Sequence, residues 1–487
     1  MSNYVDFSGR PFHFIGIGGI GMSALAYVLA KRQMPVSGSD LRPSHITCKL
    51  ESIGTHIFGT QEASNLEFFQ SNESANRVLL NSPQILPTAS KSTLPQVVCS
   101  TAINANNLEY KAALELGCPI FHRSDVLAAL ISDYYSIAVA GTHGKTTTSS
   151  MIGYMLLEAG LDPTILVGGE VNAWEGNARL GQSKYLVAEA DESDGSLVKH
   201  APEIGIITNI ELDHPDHYDT LEEVVNIFRK FADGCKILIG CIDCDTVRER
   251  FQPTITYSLN PETEADYTVT NIDYRADGST ALVWEKGQAL GVLKLRLLSR
   301  HNLSNALSAV AVGRALGLEF GAIAKGIATF EGARRRFELR GEVGGITFID
   351  DYAHHPSEIR ATLAAASLQA RPGQRVVAIF QPHRYSRTLT FLAEFAESFT
   401  HADLVVLTEI YSAGEPNLGQ ISGEQLAAEV AKQHPQVLYQ PNLLLMSEYL
   451  LQTLRPGDLA LFLGAGNLNQ VIPEVISTLC EPATAIS

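Results

Sequence analysis

A short glycine-containing loop carries the residues of this sequence that are best suited to hold a phosphate. The loop follows the apolar run Ile137–Ala140 and precedes a stretch with apolar residues at helical spacing. Its residues are Gly141, Thr142, His143, Gly144, Lys145, Thr146 and Thr147. A strand, a tight turn and a Lys-Thr pair at a helix start direct backbone N–H groups and an ammonium charge at a phosphate. We therefore predict a nucleoside triphosphate site, although Val139 replaces the first glycine of the general phosphate-loop pattern.

Acidic and histidine residues follow two further strand-like runs. Glu189 begins an acidic cluster that extends to Asp194, and His214 follows the β-branched run Ile204–Ile210. Because ligands of open parallel sheets lie beyond the carboxyl ends of the strands, we expect the phosphate loop, Glu189 and His214 to converge on one crevice. Thr146 and a carboxylate would supply the oxygen ligands that Mg²⁺ prefers, whereas an imidazole is a less usual ligand.

The N-terminal segment contains a second glycine-rich turn. Gly16, Gly18 and Gly21 form a complete Gly-x-Gly-x-x-Gly pattern between a predicted strand and a predicted helix, and Asp40 follows the strand-like run Pro35–Ser39. This arrangement lets the backbone approach a pyrophosphate, and the acid can bind a ribose hydroxyl. NAD would fit the pattern, but so would any nucleotide diphosphate. Further strands predicted at Val78–Leu80 and Val97–Ser100 continue a parallel sheet.

A third unit begins near residue 341. Its predicted strands are Ile346–Ile349, Val376–Phe380, Leu404–Leu407 and Leu459–Leu463. Polar residues follow the first two strands, at 350–356 and 381–388. Arg384 and Arg387 would lie on one helical face and could bind a carboxylate or a phosphate. A solvated surface is the alternative for these two arginines.

Residues 265–300, within the second unit, differ in character. Asp277-Gly278 and Lys286-Gly287 separate alternating apolar and polar runs, which is typical of hairpins and predicts a small antiparallel extension. His301 and Asn302 then open a helix of small residues. This polar pair could bind an adenine or merely cap the helix, and the sequence leaves both possibilities open.

Composition excludes several classes of protein. The 487 residues carry a net charge of −17, with 45% hydrophobic and 18% charged residues, so a non-specific nucleic-acid surface is not expected. The uncharged stretch Phe14–Ala30 contains four glycines and is short, so we expect no membrane insertion. The absence of a secretory signal and seven cysteines without framework spacing predict the reducing cytoplasm. Cys241 and Cys244, with Cys235 nearby, have no further ligands at zinc spacing and are interpreted as ordinary thiols.

These elements together predict an α/β protein of three domains. Residues 1–123 are predicted to form a Rossmann-like domain. Residues 124–340 are predicted to form a central α/β domain of the P-loop ATPase type with an antiparallel extension. Residues 341–487 are predicted to form a C-terminal Rossmann-like domain. The length of the chain is sufficient for each domain to bury its own core.

Four motifs in order resemble the Mur ligase family, and the resemblance covers nearly the whole chain. They are Gly141–Thr147, Glu189–Asp194, Asn209–His214 and Asp350–Pro356. The N-terminal glycine turn with Ser37–Asp40, and the segment Pro382–Thr388, look like the alanine-adding branch of that family. The resemblance implies an enzyme that uses ATP and Mg²⁺ to join L-alanine to the lactyl carboxylate of UDP-N-acetylmuramate through an acyl phosphate. This is the first peptide step in making a bacterial cell-wall precursor.

The resemblance also implies roles for individual residues. The catalytic group would be Lys145, Glu189 and His214, and the metal would be held by Thr146, Glu189 and His214. ATP would be bound by the phosphate loop together with His301, Asn302, Arg336 and Asp351. The UDP-sugar would be bound by Gly16, Gly18, Gly19, Gly21, Ser39, Asp40 and Ser100. The amino acid would be bound by His355, Arg384 and Arg387. Lys230 is not assigned the metal-holding role that a modified lysine has in other Mur ligases.

Other functions remain as alternatives. The phosphate loop could be an ordinary turn that opens a helix, and the acids at 191–194 could be a helix start without a metal. An NAD-dependent oxidoreductase would leave the phosphate loop unexplained, and a nucleotide-binding module without enzymatic activity would bind ATP without releasing phosphate. Within the family, the nearest competitor is a recycling ligase that adds an intact tripeptide to the same UDP-sugar. Monomer and homodimer both remain open.

Overall fold

The computed structural model describes residues 4–67 and 94–480, which contain three β-sheets in succession along the chain. The strand predicted at Val78–Leu80 lies outside the described residues. Each sheet is flanked by helices, and most neighbouring strands are parallel, so the predicted α/β class is confirmed. Among the described helices, none combines the length and the apolar character needed to cross a membrane.

The first sheet is a five-stranded parallel sheet with the order β3-β2-β1-β4-β5. Its strands are β1 (Phe12–Ile15), β2 (Val36–Ser39), β3 (His56–Phe58), β4 (Gln96–Cys99) and β5 (Ile120–His122). The helices are α1 (Ile20–Lys31), α2 (His45–Ser52), α3 (Ser64–Glu67), α4 (Leu108–Glu115) and α5 (Arg123–Asp133). The uncharged stretch Phe14–Ala30 forms the end of β1, the glycine turn and most of α1, and its large apolar side chains are mostly buried in the core.

The second sheet has ten strands in the order β15-β14-β13-β12-β11-β10-β6-β9-β7-β8. They are β6 (Tyr135–Ala140), β7 (Thr164–Val171), β8 (Gly176–Arg179), β9 (Tyr185–Glu189), β10 (Ile204–Ile207), β11 (Ile237–Cys241), β12 (Ile255–Tyr257), β13 (Tyr267–Arg275), β14 (Gly278–Glu285) and β15 (Gln288–Leu295). Strands β13, β14 and β15 pair antiparallel, which confirms the predicted extension. The helices are α6 (Lys145–Glu158), α7 (Leu221–Gly234), α8 (Asp245–Arg250), α9 (Arg300–Ala315) and α10 (Phe320–Thr329).

The third sheet has six strands in the order β16-β17-β21-β18-β19-β20, and only the β16–β17 pair is antiparallel. The strands are β16 (Glu338–Val343), β17 (Ile346–Asp351), β18 (Val376–Phe380), β19 (Leu404–Leu407), β20 (Val437–Tyr439) and β21 (Leu459–Leu463). The helices are α11 (Pro356–Gln369), α12 (Tyr385–Thr390), α13 (Leu392–Ala396), α14 (Gly423–Gln433), α15 (Met446–Thr453) and α16 (Val471–Cys480). The four predicted strands of this unit are all present.

Helix α6 is the central support of the phosphate loop. Its residues Met151, Ile152, Met155 and Leu156 are fully buried, which confirms the apolar face expected from their spacing. They belong to a core formed with β6, β9 and β10 and with helix α9. The helix is therefore held on the sheet along its length, and its N-terminus is fixed at the carboxyl end of β6.

Phe228 should be a critical packing residue of the central domain. Its side chain is fully buried on the amphipathic helix α7, so Phe228→Ala should lower the free energy of unfolding by about 3–5 kcal/mol. Urea unfolding followed by tryptophan fluorescence measures this, because both tryptophans, Trp174 and Trp284, lie in the central sheet region. The exposed Lys230→Ala on the same helix is the control and should change the value by less than about 0.5 kcal/mol. Equal losses in the two variants would contradict the packing argument.

Candidate active site

The phosphate loop has a backbone that favours glycine at two positions. Gly141 and Gly144 have φ angles of 144° and 81°, and a Cβ atom on Gly141 would lie 1.9 Å from the hydroxyl of Thr208. The end of β10 holds the loop in place. The Thr208 hydroxyl donates to the His143 carbonyl at 2.7 Å, and the His143 amide donates to Asn209 Oδ1 at 2.9 Å. The loop is therefore shaped by its own glycines and by the neighbouring strand.

Lys145 extends its ammonium group into a ring of acceptors. Nζ donates to the carbonyls of Gly141 and Thr142 at 2.7 and 3.0 Å and lies 2.7 Å from Glu192 Oε2. Burial alone would lower the pKa of Lys145, but the carboxylates of Glu192 and Asp191 raise it above its usual value. Burial also raises the pKa of Glu192 to about 7. Lys145 therefore stays positively charged throughout the physiological pH range.

Glu189 and His214 lie beside the Lys145–Glu192 pair. Glu189 ends β9, and its Oε2 accepts a hydrogen bond of 2.7 Å from the Gly168 amide. His214 Nε2 lies 3.8 Å from Glu192 Oε1 and 3.7 Å from Asp213 Oδ2. Burial lowers the pKa of His214, so its imidazole is neutral at pH 7. The neutral ring has a lone pair that can bind a metal ion.

A central cleft of about 1180 Å³ brings the three units together. Its walls come from the glycine turn before α1, from the phosphate loop and acidic cluster, and from the segments that follow β17 and β18. Of the predicted site residues, the cleft is lined by Gly19, Gly21, Ser100, Thr142, His143, Gly144, Lys145, Thr146, Glu189, His214, Arg336, Arg384 and Arg387. Residues predicted to bind three different substrates thus face one space.

A second cavity of about 610 Å³ lies on the other side of the phosphate loop. It is lined by seven of the residues predicted to bind ATP, which are His143, Gly144, Thr147, His301, Asn302, Arg336 and Asp351. Burial raises the pKa of Asp351 to about 6. Helix α9 is capped by Ser299, whose hydroxyl accepts from the Asn302 amide, while His301 and Asn302 both face the cavity. Arg336, His143 and Gly144 line both spaces, so the two cavities meet at the phosphate loop.

The predicted sugar-side residues divide into two groups. Asp40 Oδ2 accepts a hydrogen bond of 2.9 Å from the Gly18 amide, so this acid fixes the glycine turn. Ser39 is fully buried and donates to Glu109 Oε2 at 2.5 Å. Gly16, Gly18, Ser39 and Asp40 line neither of the two cavities, and neither do Gly141 and His355. Of the residues predicted to bind the UDP-sugar, only Gly19, Gly21 and Ser100 therefore line the cleft.

The two predicted alanine-binding arginines already have carboxylate partners. Arg387 has a side chain only 1% exposed, and its Nε donates to Asp213 Oδ1 at 2.8 Å. Burial alone would raise the pKa of Asp213, but Arg387 holds it well below its usual range. Arg384 Nη1 lies 2.9 Å from Asp216 Oδ2 and 3.2 Å from Glu415 Oε1. A solvated surface is wrong for Arg387, because the central domain covers it.

Sequence reasoning missed residues that connect the domains. Arg123, at the start of α5, donates to Asp191 Oδ2 at 2.8 Å and to Asp194 Oδ2 at 3.2 Å. Glu192 was part of the acidic cluster but was not identified as the partner of Lys145. Its buried position, 2% exposed, is the property that its neighbours in the sequence do not reveal.

All seven cysteines lie in the described part of the chain and are free thiols, and Cys241 and Cys244 line the second cavity.

The contact between the central and C-terminal domains should depend on Asp213. Asp213→Asn leaves the buried Arg387 guanidinium without a carboxylate, which should weaken the contact by about 3–5 kcal/mol. Small-angle X-ray scattering should then show a larger radius of gyration. The matched variant Asp216→Asn removes a partly exposed partner of Arg384 and should cost less than about 1 kcal/mol. An unchanged radius of gyration in Asp213→Asn would rule out this role.

Known proteins share this chain's sequence and architecture. Three family models match in order: the Mur ligase family catalytic domain over residues 11–135, the Mur ligase middle domain over 139–313, and the Mur ligase glutamate ligase domain over 335–466. A UDP-N-acetylmuramate–L-alanine ligase of Nostoc punctiforme is 86% identical over 487 residues, with both chains covered completely.

Solved structures agree with these matches. A UDP-N-acetylmuramate–alanine ligase from Thermotoga maritima is 26% identical with a TM-score of 0.78, covering 96% of this chain and 98% of that one. A MurF ligase from the same organism, solved in complex with ADP, is 18% identical with a TM-score of 0.58 over 84% of this chain and 91% of that one, a likeness of fold alone. The chain therefore belongs to the Mur ligase family of ATP-dependent ligases, as its motifs indicated.

Proposed function

We propose that this protein joins L-alanine to the lactyl carboxylate of UDP-N-acetylmuramate, with ATP converted to ADP and phosphate. The observation that carries the proposal is that the phosphate loop lines both cavities, so a nucleotide in one can present its terminal phosphoryl group to the other. The relative that is 86% identical bears the name of this activity, which supports the same substrates. We further propose that the reaction takes place in the cytoplasm, where ATP is available.

The adenine-side cavity is the proposed ATP site. His301, Asn302 and Asp351 would contact the nucleoside, while the loop amides and Lys145 would hold the phosphates. Arg336 lines both cavities and is suited to a phosphate oxygen. Since Lys145 now pairs with Glu192, the triphosphate would compete with that carboxylate for the ammonium group.

The residues that would hold Mg²⁺ are Thr146, Glu189 and His214. A hydroxyl and a carboxylate provide hard oxygen ligands, and Gly168 leaves the space that the Glu189 carboxylate occupies, since a Cβ there would lie 2.5 Å from Oε1. When bound, Mg²⁺ would neutralise charge on the transferred phosphoryl group. The pKa of His214 is lowered by burial, so its nitrogen is available without loss of a proton at neutral pH.

The chemistry follows from the reactivity of a carboxylate. An amine does not attack a carboxylate, so the sugar's lactyl oxygen first attacks the γ-phosphorus and ADP leaves, which gives an acyl phosphate. The amine of alanine then adds to the acyl carbon, the amine loses a proton, and phosphate leaves as the amide forms. Lys145 offsets the repulsion between the two anions, and closure of the cleft excludes water that would hydrolyse the acyl phosphate.

Each proposed domain would bind one substrate. Residues 1–123 would bind the UDP-sugar through Gly19, Gly21 and Ser100, with Gly16, Gly18, Ser39 and Asp40 shaping the turn. Residues 124–340 would bind ATP, and residues 341–487 would bind alanine. Arg384 and Arg387 line the cleft and can bind the carboxylate of alanine. His355, also predicted for this site, caps α11 and lines neither cavity.

Substrate choice gives the direct test of this proposal. Phosphate release should require ATP, UDP-N-acetylmuramate and L-alanine together, because the acyl phosphate needs an amine that fits the cleft. The assay is run in parallel with L-alanine and with the tripeptide that a recycling ligase would use. A clear preference for the tripeptide, or no phosphate release with either, would refute the proposed activity.

Lys145 should be required for turnover but not for sugar binding. Lys145→Ala removes the ammonium group at the phosphate loop and should lower kcat by at least ~100-fold. Calorimetric binding of UDP-N-acetylmuramate should be unchanged, because the sugar-side residues belong to the first domain. Lys184→Ala removes the same charge on an exposed part of the central sheet and should leave turnover as in the wild type. Near-normal turnover in Lys145→Ala would contradict the proposed phosphate site.

A further inference from the structure

Three potential metal ligands meet between the central and C-terminal domains, away from Glu189 and His214. His143 lies in the phosphate loop, Glu211 follows β10, and His355 caps the N-terminus of α11. One ligand atom from each of these side chains lies within 4.8 Å of the other two. They define the interdomain triad, in which His143 and His355 are also assigned to the proposed ATP and alanine sites and Glu211 has no role there.

The spacing of the interdomain triad is close to that of a tetrahedral site. His143 Nε2 lies 3.3 Å from Glu211 Oε2, and His355 Nδ1 lies 3.9 Å from the same oxygen. Bonds of about 2.0–2.1 Å to nitrogen and oxygen in a tetrahedron place neighbouring ligand atoms roughly 3.4 Å apart. The Ser357 hydroxyl lies 3.0 Å from both His143 Nε2 and Glu211 Oε2 and could complete the set or give way to water.

The surroundings orient the two imidazoles for metal binding. Glu358 Oε1 lies 3.3 Å from His143 Nδ1 and can accept a hydrogen bond from an N–H at that nitrogen. In this tautomer Nε2 carries no proton and is the ligand atom. A metal-binding histidine commonly donates its other ring N–H to a carboxylate. His355 Nε2 is buried without a hydrogen-bond partner among the described residues. His355 Nδ1, which faces Glu211, lies 2.8 Å from the Ser357 hydroxyl and accepts from the Ser357 amide at 3.4 Å, so a metal ion at Nδ1 would replace these two contacts.

We propose that the interdomain triad binds one divalent transition metal ion of the zinc class. Two imidazoles and one carboxylate suit zinc or cobalt, whereas Mg²⁺ prefers a shell of six oxygens. His143, Glu211, Ser357 and Glu358 line the 610 Å³ cavity, which gives an ion access from that side. Because two ligands belong to the central domain and the third to the C-terminal domain, the metal ion fastens these domains together at the phosphate loop.

Cobalt provides the spectroscopic test. The full-length protein, freed of metals with a chelator and kept without Mg²⁺ and nucleotide, is titrated with Co²⁺, and we expect one equivalent to produce the visible bands of a four-coordinate ion. Glu211→Gln and His355→Gln each remove a ligand, and both should weaken this binding by on the order of 10-fold or more. Glu358→Gln should weaken it by about 10–100-fold, because the orienting carboxylate is lost.

Two further variants separate the triad from other sites and from misfolding. His214→Gln alters the proposed Mg²⁺ site and should leave the Co²⁺ bands unchanged. His355→Cys should add a thiolate charge-transfer band that the wild type, with its own seven cysteines, does not show at one equivalent of Co²⁺, and circular dichroism checks that the variant is folded. Unchanged Co²⁺ affinity in both Glu211→Gln and His355→Gln, or loss of the bands in His214→Gln alone, would overturn the proposal.

Discussion

The pairing of the buried Lys145 ammonium group with its acceptors is the interaction on which the rest of the site depends. Removing a charge from water is unfavourable, and the protein offsets this with two loop carbonyls and the carboxylate of Glu192. The carbonyls are in place only because Gly141 and Gly144 adopt left-handed angles and because Thr208 and Asn209 hold the loop. The burial of one ammonium group thereby depends on the glycines of the loop, on the start of α6 and on the residues that follow β10.

The same requirement for paired charge joins the domains. Arg123 of the first domain is held by Asp191 and Asp194, and Arg387 of the C-terminal domain is held by Asp213. These acids all follow strands of the central sheet, close to Lys145. A buried arginine without its carboxylate is strongly unfavourable, so the relative position of the domains is coupled to the electrostatics of the cleft. The arrangement of the domains therefore depends on the pairing of these buried charges.

Local patterns predicted most of the elements but few of their partners. The phosphate loop, the strand ends at Glu189 and the antiparallel extension follow from short-range signals such as glycine spacing and alternation. The pairing of Asp213 with Arg387 spans 174 positions, and no periodicity encodes it. Ser39 is a residue whose internal partner its motif did not reveal. It stands at the carboxyl end of β2, where ligands are expected, but its hydroxyl is used inside the protein by Glu109.

Carboxylates of the protein already pair with two cationic side chains of the cleft. Lys145 is paired with Glu192 and Arg387 with Asp213, so at the proposed sites a phosphate or a substrate carboxylate would exchange with a protein acid rather than meet an unpaired charge. Exchange recovers only the difference between two ion pairs, which limits how tightly each substrate alone can be held. Burial raises the pKa of Glu192 to about 7, so this acid can accept a proton and withdraw its charge when a more negative group reaches Lys145. The acid that pairs with Lys145 need not oppose the binding of an anion there, because Glu192 can be neutralised, whereas the neighbouring Asp191 keeps a lowered pKa and its charge.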